Sequence, residues 1–372
     1  MYKIIFSLLF VFLFGCDITN KSDTDIHINF IINDLNYYNF TRMVFFPKEK
    51  ITLLVFYNPE SYLEENLEKL NNTNIDFKKY QDQKNDVEKK VKIFNKITQK
   101  NENFYLRIDR DNFIRFINFI NGIKIFLPSN LELENTDYLH IKGDHTYFGE
   151  NLYEFFTLNE RYESGSYHII SQNKHFRFET MMLNLIFQLK FKKEILQKQN
   201  QLDILYSFFN TNLSKKDFQN FLESLVEYDF LIVDAPLIPV KFPTNSETDL
   251  FVHIPKSKEL YNHYLNKIKS NNILKDPITL EILNASGINR LANRVKAIID
   301  SQNYKVLATD NFSFDLDETF LICNNGNSLE LKQLIGLLYI PEKNIYFLRR
   351  IKDVGFTYIL GHDFNVKKFL KR

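Results

Sequence analysis

ITLEIL (residues 278–283), NASG (284–287), YKVLATDNF (304–312), ETFLICNN (318–325) and FTYILGHDF (356–364) are the segments that decide the fold of the C-terminal part of this chain. Leu280 and Ile282 share one face of a strand, and Asn284-Ala285-Ser286-Gly287 is a turn able to cap the helix behind it. Leu291, Val295, Ile298 and Ile299 then recur at helical spacing as one apolar stripe. Ser328 is placed to N-cap a second helix, whose Leu331, Leu334, Ile335 and Leu338 share a face. Strands alternating with helices predict a two-layer α/β unit that buries both stripes on one sheet. The NASG turn has two readings: anion or glycan contact through free helix N-terminal amides, or the commoner plain strand-to-helix turn.

Working outward, 372 residues leave room for a second, larger domain and a lead segment. Hydrophobic residues at 44% and charged residues at 25% suffice for a sizeable core. The formal charge is +1, and loss of Lys3 with a leader leaves 46 basic against 46 acidic residues. That balance gives no electrostatic footprint for nucleic acid, which is excluded as a partner. Met1 to Cys16 reads as a bacterial lipoprotein signal: Lys3, an apolar run from Ile4 to Phe14, then Leu13-Phe14-Gly15-Cys16 in the manner of a lipobox. The run is too short for a hydrocarbon core of ~30 Å, so cleavage is expected, with Cys16 as the lipid attachment that holds the protein to a membrane. The alternative is an ordinary signal with an incidental cysteine. Cys323 is then the one thiol left in the body, which excludes an intrachain disulfide, and its place in FLIC predicts a small buried residue.

Residues 16–25 form a polar tether, 26–269 a large domain, 270–277 a linker and 278–372 the smaller domain. Residues 63–100 are strongly charged, which suits a solvated face, and Val87, Val91 and Phe94 suggest an amphipathic helix at their end. Phe113, Phe116, Ile117 and Ile120 make a helical stripe, with Gly122 to end the helix. Met181, Met182, Leu185, Ile186 and Leu189 make another, either core or the lining of a groove for a lipid tail. The eight histidines are scattered without metal-ligand spacing, no Gly-rich phosphate loop occurs, and no serine sits in a nucleophile elbow.

The pieces from 278 to 364, in their order and wording, resemble the C-terminal domain of the LytR–CpsA–Psr (LCP) family of bacterial envelope proteins. The large domain resembles the same family through FTRMVFFPKEKITLLVFYNPESYL (40–63), FYLRIDRDNFIRFINFINGIKIFLP (104–128), HTYFGENLYEFFTLNERYES (145–164), NKHFRFETMMLNLIFQL (173–189) and DLFVHIPKSKELYNHYLNKI (249–268). The resemblance implies an α/β/α sandwich with a mixed sheet, followed by the smaller two-layer α/β domain. It also implies cell-envelope work facing the periplasm: binding a polyprenyl-(pyro)phosphate-linked glycan precursor or peptidoglycan, with possible glycopolymer transfer to peptidoglycan.

Arginine forks would grip the pyrophosphate, and a carboxylate would bind Mg²⁺ or orient the accepting hydroxyl. Arg161, Lys174 and Arg177 match the family's two arginine pairs, with Asn159 and Lys174 replacing two of the arginines, and Asp34 falls where its early aspartate sits. Glu60 and Ser61 stand where the family has arginine and aspartate. Exchanging a phosphate-gripping cation for a carboxylate reverses an interaction of about 4 kcal/mol at 4 Å and an effective dielectric of 20, which argues against full transferase activity. Two functions therefore stand side by side: an LCP-type ligase, or a catalytically inactive envelope scaffold that binds wall or partner proteins. For the residues themselves, Arg161, Lys174 and Arg177 are either phosphate ligands or cations paired with Glu160, Glu163 and Glu179, and Asp34 is either a metal ligand or a turn residue.

Overall fold

The computed structural model describes residues 25–369, apart from 35–36, 57–61, 65–86, 102–103, 137–138, 162–166, 193, 196–197, 235–236, 242–247, 271, 273–276, 301–303, 350–353 and 367–368. The described chain begins with strands β1 (Ile26–Asp34), β2 (Tyr37–Phe46), β3 (Ile51–Phe56) and β4 (Tyr62–Glu64). Helix α1 (Val87–Thr98) precedes β5 (Phe104–Asp109), α2 (Arg110–Phe119) and β6 (Ile123–Leu127). Short strands β7 (Leu131–Glu132) and β8 (Leu139–His140) lead to β9 (Gly143–Tyr147), α3 (Gly149–Thr157) and the long α4 (Tyr167–Leu189). Next come α5 (Gln199–Ser207), β10 (Asn210–Thr211), α6 (Lys215–Glu227) and β11 (Asp229–Asp234). Strands β12 (Leu237–Lys241) and β13 (Thr248–His253) and helix α7 (Ile254–Lys269) follow. The C-terminal part contributes β14 (Thr279–Asn284), α8 (Leu291–Ile299), β15 (Lys305–Asn311) and β16 (Phe320–Cys323). It ends with α9 (Ser328–Leu338), β17 (Ile345–Phe347) and β18 (Phe356–Leu360).

The larger sheet is mixed, in the order β10-β5-β1-β2-β3-β11. β1 pairs parallel with β5 and antiparallel with β2, β2 pairs antiparallel with β3, and β3 pairs parallel with β11. Hence β1, β3, β5 and β11 all point their carboxyl ends to the same edge. Both faces are apolar, as a sheet covered on two sides requires. Ile28, Phe30, Met43, Leu54 and Leu106 pack under α2, α3, α4 and α6, whereas Ile31, Val44, Leu53 and Val233 pack with Ile97 of α1 and Ile254, Tyr261 and Ile268 of α7. This is an α/β/α sandwich. On the second face Arg42 is fully buried; its Nε donates to Asn29 Oδ1 at 2.9 Å and its two Nη atoms to Thr98 Oγ1 and Asn95 Oδ1, which ties α1 to the sheet.

The stripe from Phe113 to Ile120 faces the core as its spacing predicts, and Asp109 caps α2 by accepting from the Asn112 amide at 2.8 Å. Helices α2 and α3 meet at Gly149, where an added Cβ would lie 2.4 Å from the Ile114 carbonyl oxygen. Gly149→Ala is therefore expected to cost about 1–3 kcal/mol in urea unfolding, because backbone rather than a pliant side chain must move.

The second sheet is also mixed, in the order β15-β14-β18-β16-β17. Alternation divides its faces. Leu280, Ile282, Leu321, Cys323, Phe347, Phe356 and Tyr358 pack with the stripes of α8 and α9. Phe320, Ile322, Tyr346 and Ile359 close over Phe126 of β6. The helices thus share one face, and the other rests on the larger unit. Two helix starts differ from expectation. Asn327, not Ser328, caps α9, its Oδ1 accepting from the Leu329 and Glu330 amides. Ser328 instead accepts from Phe230 N at 2.7 Å and donates to Asp229 Oδ1, because an asparagine one position earlier already meets the orphan amides and frees the hydroxyl to dock β11. The NASG segment is a self-bonded turn: Asn284 Oδ1 accepts from the amide and hydroxyl of Ser286, Gly287 adopts φ +68°, and α8 starts further on, at Leu291.

Candidate functional site

Ligands of open α/β sheets collect outside the carboxyl ends of the strands. Here that edge carries Asp34 at the end of β1, Phe56 at the end of β3, Asp109 at the end of β5 and Asp234 at the end of β11, with Asp234 in register with Phe56. Helix α4 runs over it, and the Phe56 ring meets His175 edge-on with centroids 6.5 Å apart. Asn58, Pro59, Glu60 and Ser61, which follow β3, lie outside the described residues, as does the side chain of Asp34.

A buried ionic cluster occupies this edge. Glu179 is fully buried on α4. His175 Nε2, one turn earlier, lies 2.8 Å from Glu179 Oε1, and Arg349 Nε donates to Glu179 Oε2 at 2.8 Å. Arg349 Nη2 donates to Asp234 Oδ2 and Nη1 to the Asn324 carbonyl. The backbone beside it is held as well. The Arg349 amide donates to Thr180 Oγ1 at 2.9 Å, and Asn184 bonds both the amide and the carbonyl of Phe347, at 3.1 and 2.7 Å. Glu179, Thr180 and Asn184 therefore form a polar seam along α4 that receives the strand end after β17. Three side-chain atoms of the cluster, His175 Nδ1, Glu179 Oε1 and Asp234 Oδ1, are enclosed without a hydrogen-bond partner among the described residues, the Glu179 oxygen facing His175 Nε2 as an ion pair.

The electrostatics follow from this geometry. Burial acts to raise the Glu179 carboxyl, but the adjoining His175 and Arg349 outweigh it and hold the group down to about 2. The Asp234 carboxyl is pushed upward, by burial first and by the Glu179 charge second; its exposed edge, 38% of the side chain, moderates the rise. A carboxylate depressed on folding contributes stability above its unfolded value near ~4.3, and that contribution is lost as pH falls through the folded value. Asp234 acts in the opposite sense, favouring the fold while protonated. The urea midpoint is expected to drop between about pH 4 and pH 2 with a slope of up to about 1.4 kcal/mol per pH unit from Glu179. Glu179→Gln should flatten that slope.

The three cations matching the family's arginine pairs are disposed differently from one another. Arg177 is buried on α4, its Nε donating to the Phe155 carbonyl at 2.6 Å, Nη2 to the Leu158 carbonyl and Nη1 to Glu160 at 2.6 Å. The fork thereby closes the carboxyl end of α3, where a cation meets the helix dipole. His140 beside it is held down to about 4, by burial first and then by the Arg177 charge. Arg161 is exposed; its Nη2 donates to the Thr136 carbonyl at 2.6 Å, and Nη1 is 3.8 Å from Glu132. Lys174 is buried on α4. Arg177 pairs with Glu160, the neighbour of Arg161 in sequence, whereas the Arg161 side chain is held at Thr136 and Glu132. For Asp34, the strand-end carboxylate of the adjoining β5 is Asp109, whose two oxygens accept from the amide and side chain of Asn112. No group of three or more His, Cys, Asp or Glu side chains placed to hold a metal ion occurs among the described residues.

The methionine-rich stripe of α4 is core: Met181, Met182, Leu185, Ile186 and Leu189 are all buried. Between it and the sheet lies a wholly apolar void of about 30 Å³, room for about one water. Cys323 is fully buried, and burial pushes its thiol up to about 12. No helix among the described residues is long and apolar enough to cross a membrane.

The sequence matches no family profile and no curated protein. Among solved structures, the fold is similar to B. subtilis TagV, at 14% identity over 66% of this chain and 98% of that one, with a TM-score of 0.48. It is similar to a protein described as a transcriptional regulator from Enterococcus faecalis, at 11% identity over 66% and 88%, with a TM-score of 0.49. It is also similar to TagT bound to LI-WTA, at 13% identity over 66% and 91%, with a TM-score of 0.45. These likenesses are distant.

Sequence reasoning named Glu179 only as a partner for Arg161, Lys174 or Arg177, and passed over Asp234 and Arg349. A signal was present for Glu179: a carboxylate one turn after a histidine, inside the apolar run of α4, must find a counter-charge once buried. Asp234 closes the apolar run FLIV at a strand end, the usual place for a functional carboxylate.

Proposed function

We propose that this chain is a lipid-anchored cell-envelope protein, held by Cys16, that binds wall glycan or peptidoglycan without transferring a glycopolymer. The envelope assignment is supported by the ordered resemblance to LCP proteins across both halves of the sequence. The loss of transfer is supported by one observation above all: the Arg177 guanidinium is committed to two carbonyls and Glu160, so it is not presented to a pyrophosphate. The Arg349 fork is likewise bound to Glu179 and Asp234. Mg²⁺ at Asp34 remains part of the family resemblance only.

The test is co-sedimentation of the mature full-length chain with purified peptidoglycan sacculi. The whole chain is needed because one hydrophobic core runs through both units. Retention in the pellet, with no glycan joined to the sacculi from a polyprenyl-pyrophosphate donor, is expected. A protein that stays in the supernatant, or one that forms the covalent product, contradicts the proposal. Palmitate labelling checks the anchor, and Cys16→Ala should abolish it.

A further inference from the structure

A groove of about 780 Å³, within the usual range of small-molecule sites, lies away from the ionic cluster, between the carboxyl end of α2, the end of α4 and residues 342–346. Phe187 and Tyr346 line it from the two units, and Phe148 and Phe191 add rings that are 48% and 50% exposed. Large exposed rings gathered in one hollow mark a binding surface rather than ordinary surface scatter.

The charged lining is one-sided: Lys124, Lys192 and Lys343 against the single carboxylate Glu342. Lys124 also lies 3.5 Å from Asp144, and Lys343 lies 2.9 Å from Glu318, but both are solvent-exposed pairs that an incoming anion can displace. Lys192 is different. Its Nζ donates to the Ile120 and Gly122 carbonyls at the end of α2, which fixes the ammonium in place and leaves one of its three donors open. Burial lowers it to about 8. The amide that could read a neutral sugar is not free: Gln188 accepts from Lys124 N at 2.8 Å and donates to Lys124 O at 2.6 Å.

We propose that this groove binds an anionic amphiphile, with its apolar chain against Phe148, Phe187, Phe191 and Tyr346 and its acidic head on Lys124, Lys192 and Lys343. The inference is independent of the wall-binding reading. A concave site lined by aromatic rings suits one chain rather than a flat bilayer surface, and the lysine set selects the sign of the head.

The experiment titrates the full mature chain with lysophosphatidylglycerol below its micellar concentration, alongside lysophosphatidylcholine and glycerol phosphate. Saturable one-to-one binding of the anionic lipid is expected, about tenfold or more tighter than either control. Phe148→Asp and Phe191→Asp, at exposed positions, should remove it with thermal unfolding unchanged, and Lys124→Ala with Lys343→Ala should weaken the anionic lipid alone. Affinity should fall, with proton uptake on binding, as pH rises from 7 to 9 and Lys192 loses its charge. Equal binding of both lipids, glycerol phosphate binding as well as the lipid, or unchanged binding by the phenylalanine variants would overturn the proposal.

Discussion

Arg349→Met is expected to destabilise the protein by about 3–5 kcal/mol in urea unfolding, the range for removing one partner of a buried ion pair. The arginine is 12% exposed and is the counter-charge for a Glu179 carboxylate with no exposure at all. Methionine fills similar space but leaves that carboxylate facing only His175, while Asn324 O and Asp234 lose their donor. The unpaired charge, not the lost attraction, dominates the cost. Adding Glu179→Gln to the variant should therefore recover part of the loss, and a double-mutant cycle measures the coupling. Because the pair joins α4 to the segment after β17, the single variant should also expose residues 345–349 to hydrogen exchange before the larger sheet opens.

The second large effect concerns Arg177. Arg177→Met is expected to cost about 2–3 kcal/mol, since charge-assisted bonds to the Phe155 and Leu158 carbonyls vanish at a buried helix end. Glu160 is one-third exposed and can recover water, so little of the loss arises there. Arg161→Ala should change stability by less than about 1 kcal/mol, because its contacts are at the surface. The contrast between these two arginines, one from each of the family's two pairs, is measurable by denaturant midpoints alone.

The local elements were legible because their causes are local. The stripes Leu291-Val295-Ile299 and Leu331-Leu334-Leu338 face the core as their spacing demands, and the alternation in FLIC and FTYIL assigns residues to the two faces of the second sheet. The cap of α9 was off by one residue because Asn327 and Ser328 are both good caps, and sequence cannot tell which one packs against β11. The ionic cluster was hidden for a different reason. Glu179 and Arg349 are 170 residues apart, and Asp234 and Arg349 are 115 apart, so no pattern along the chain couples them. Arg177 shows the limit most sharply: an arginine placed to grip phosphate and one closing a helix end look alike until the carbonyls of α3 are in place.

Whether the Arg177 fork is part of the scaffold or part of a ligand site is decided by calorimetric titration of a soluble polyprenyl pyrophosphate into wild type and Arg177→Met. The predicted result is a variant with a lowered unfolding midpoint and the same weak or undetectable affinity as wild type. Tight binding by wild type that Arg177→Met abolishes, with the unfolding midpoint unmoved, would contradict it.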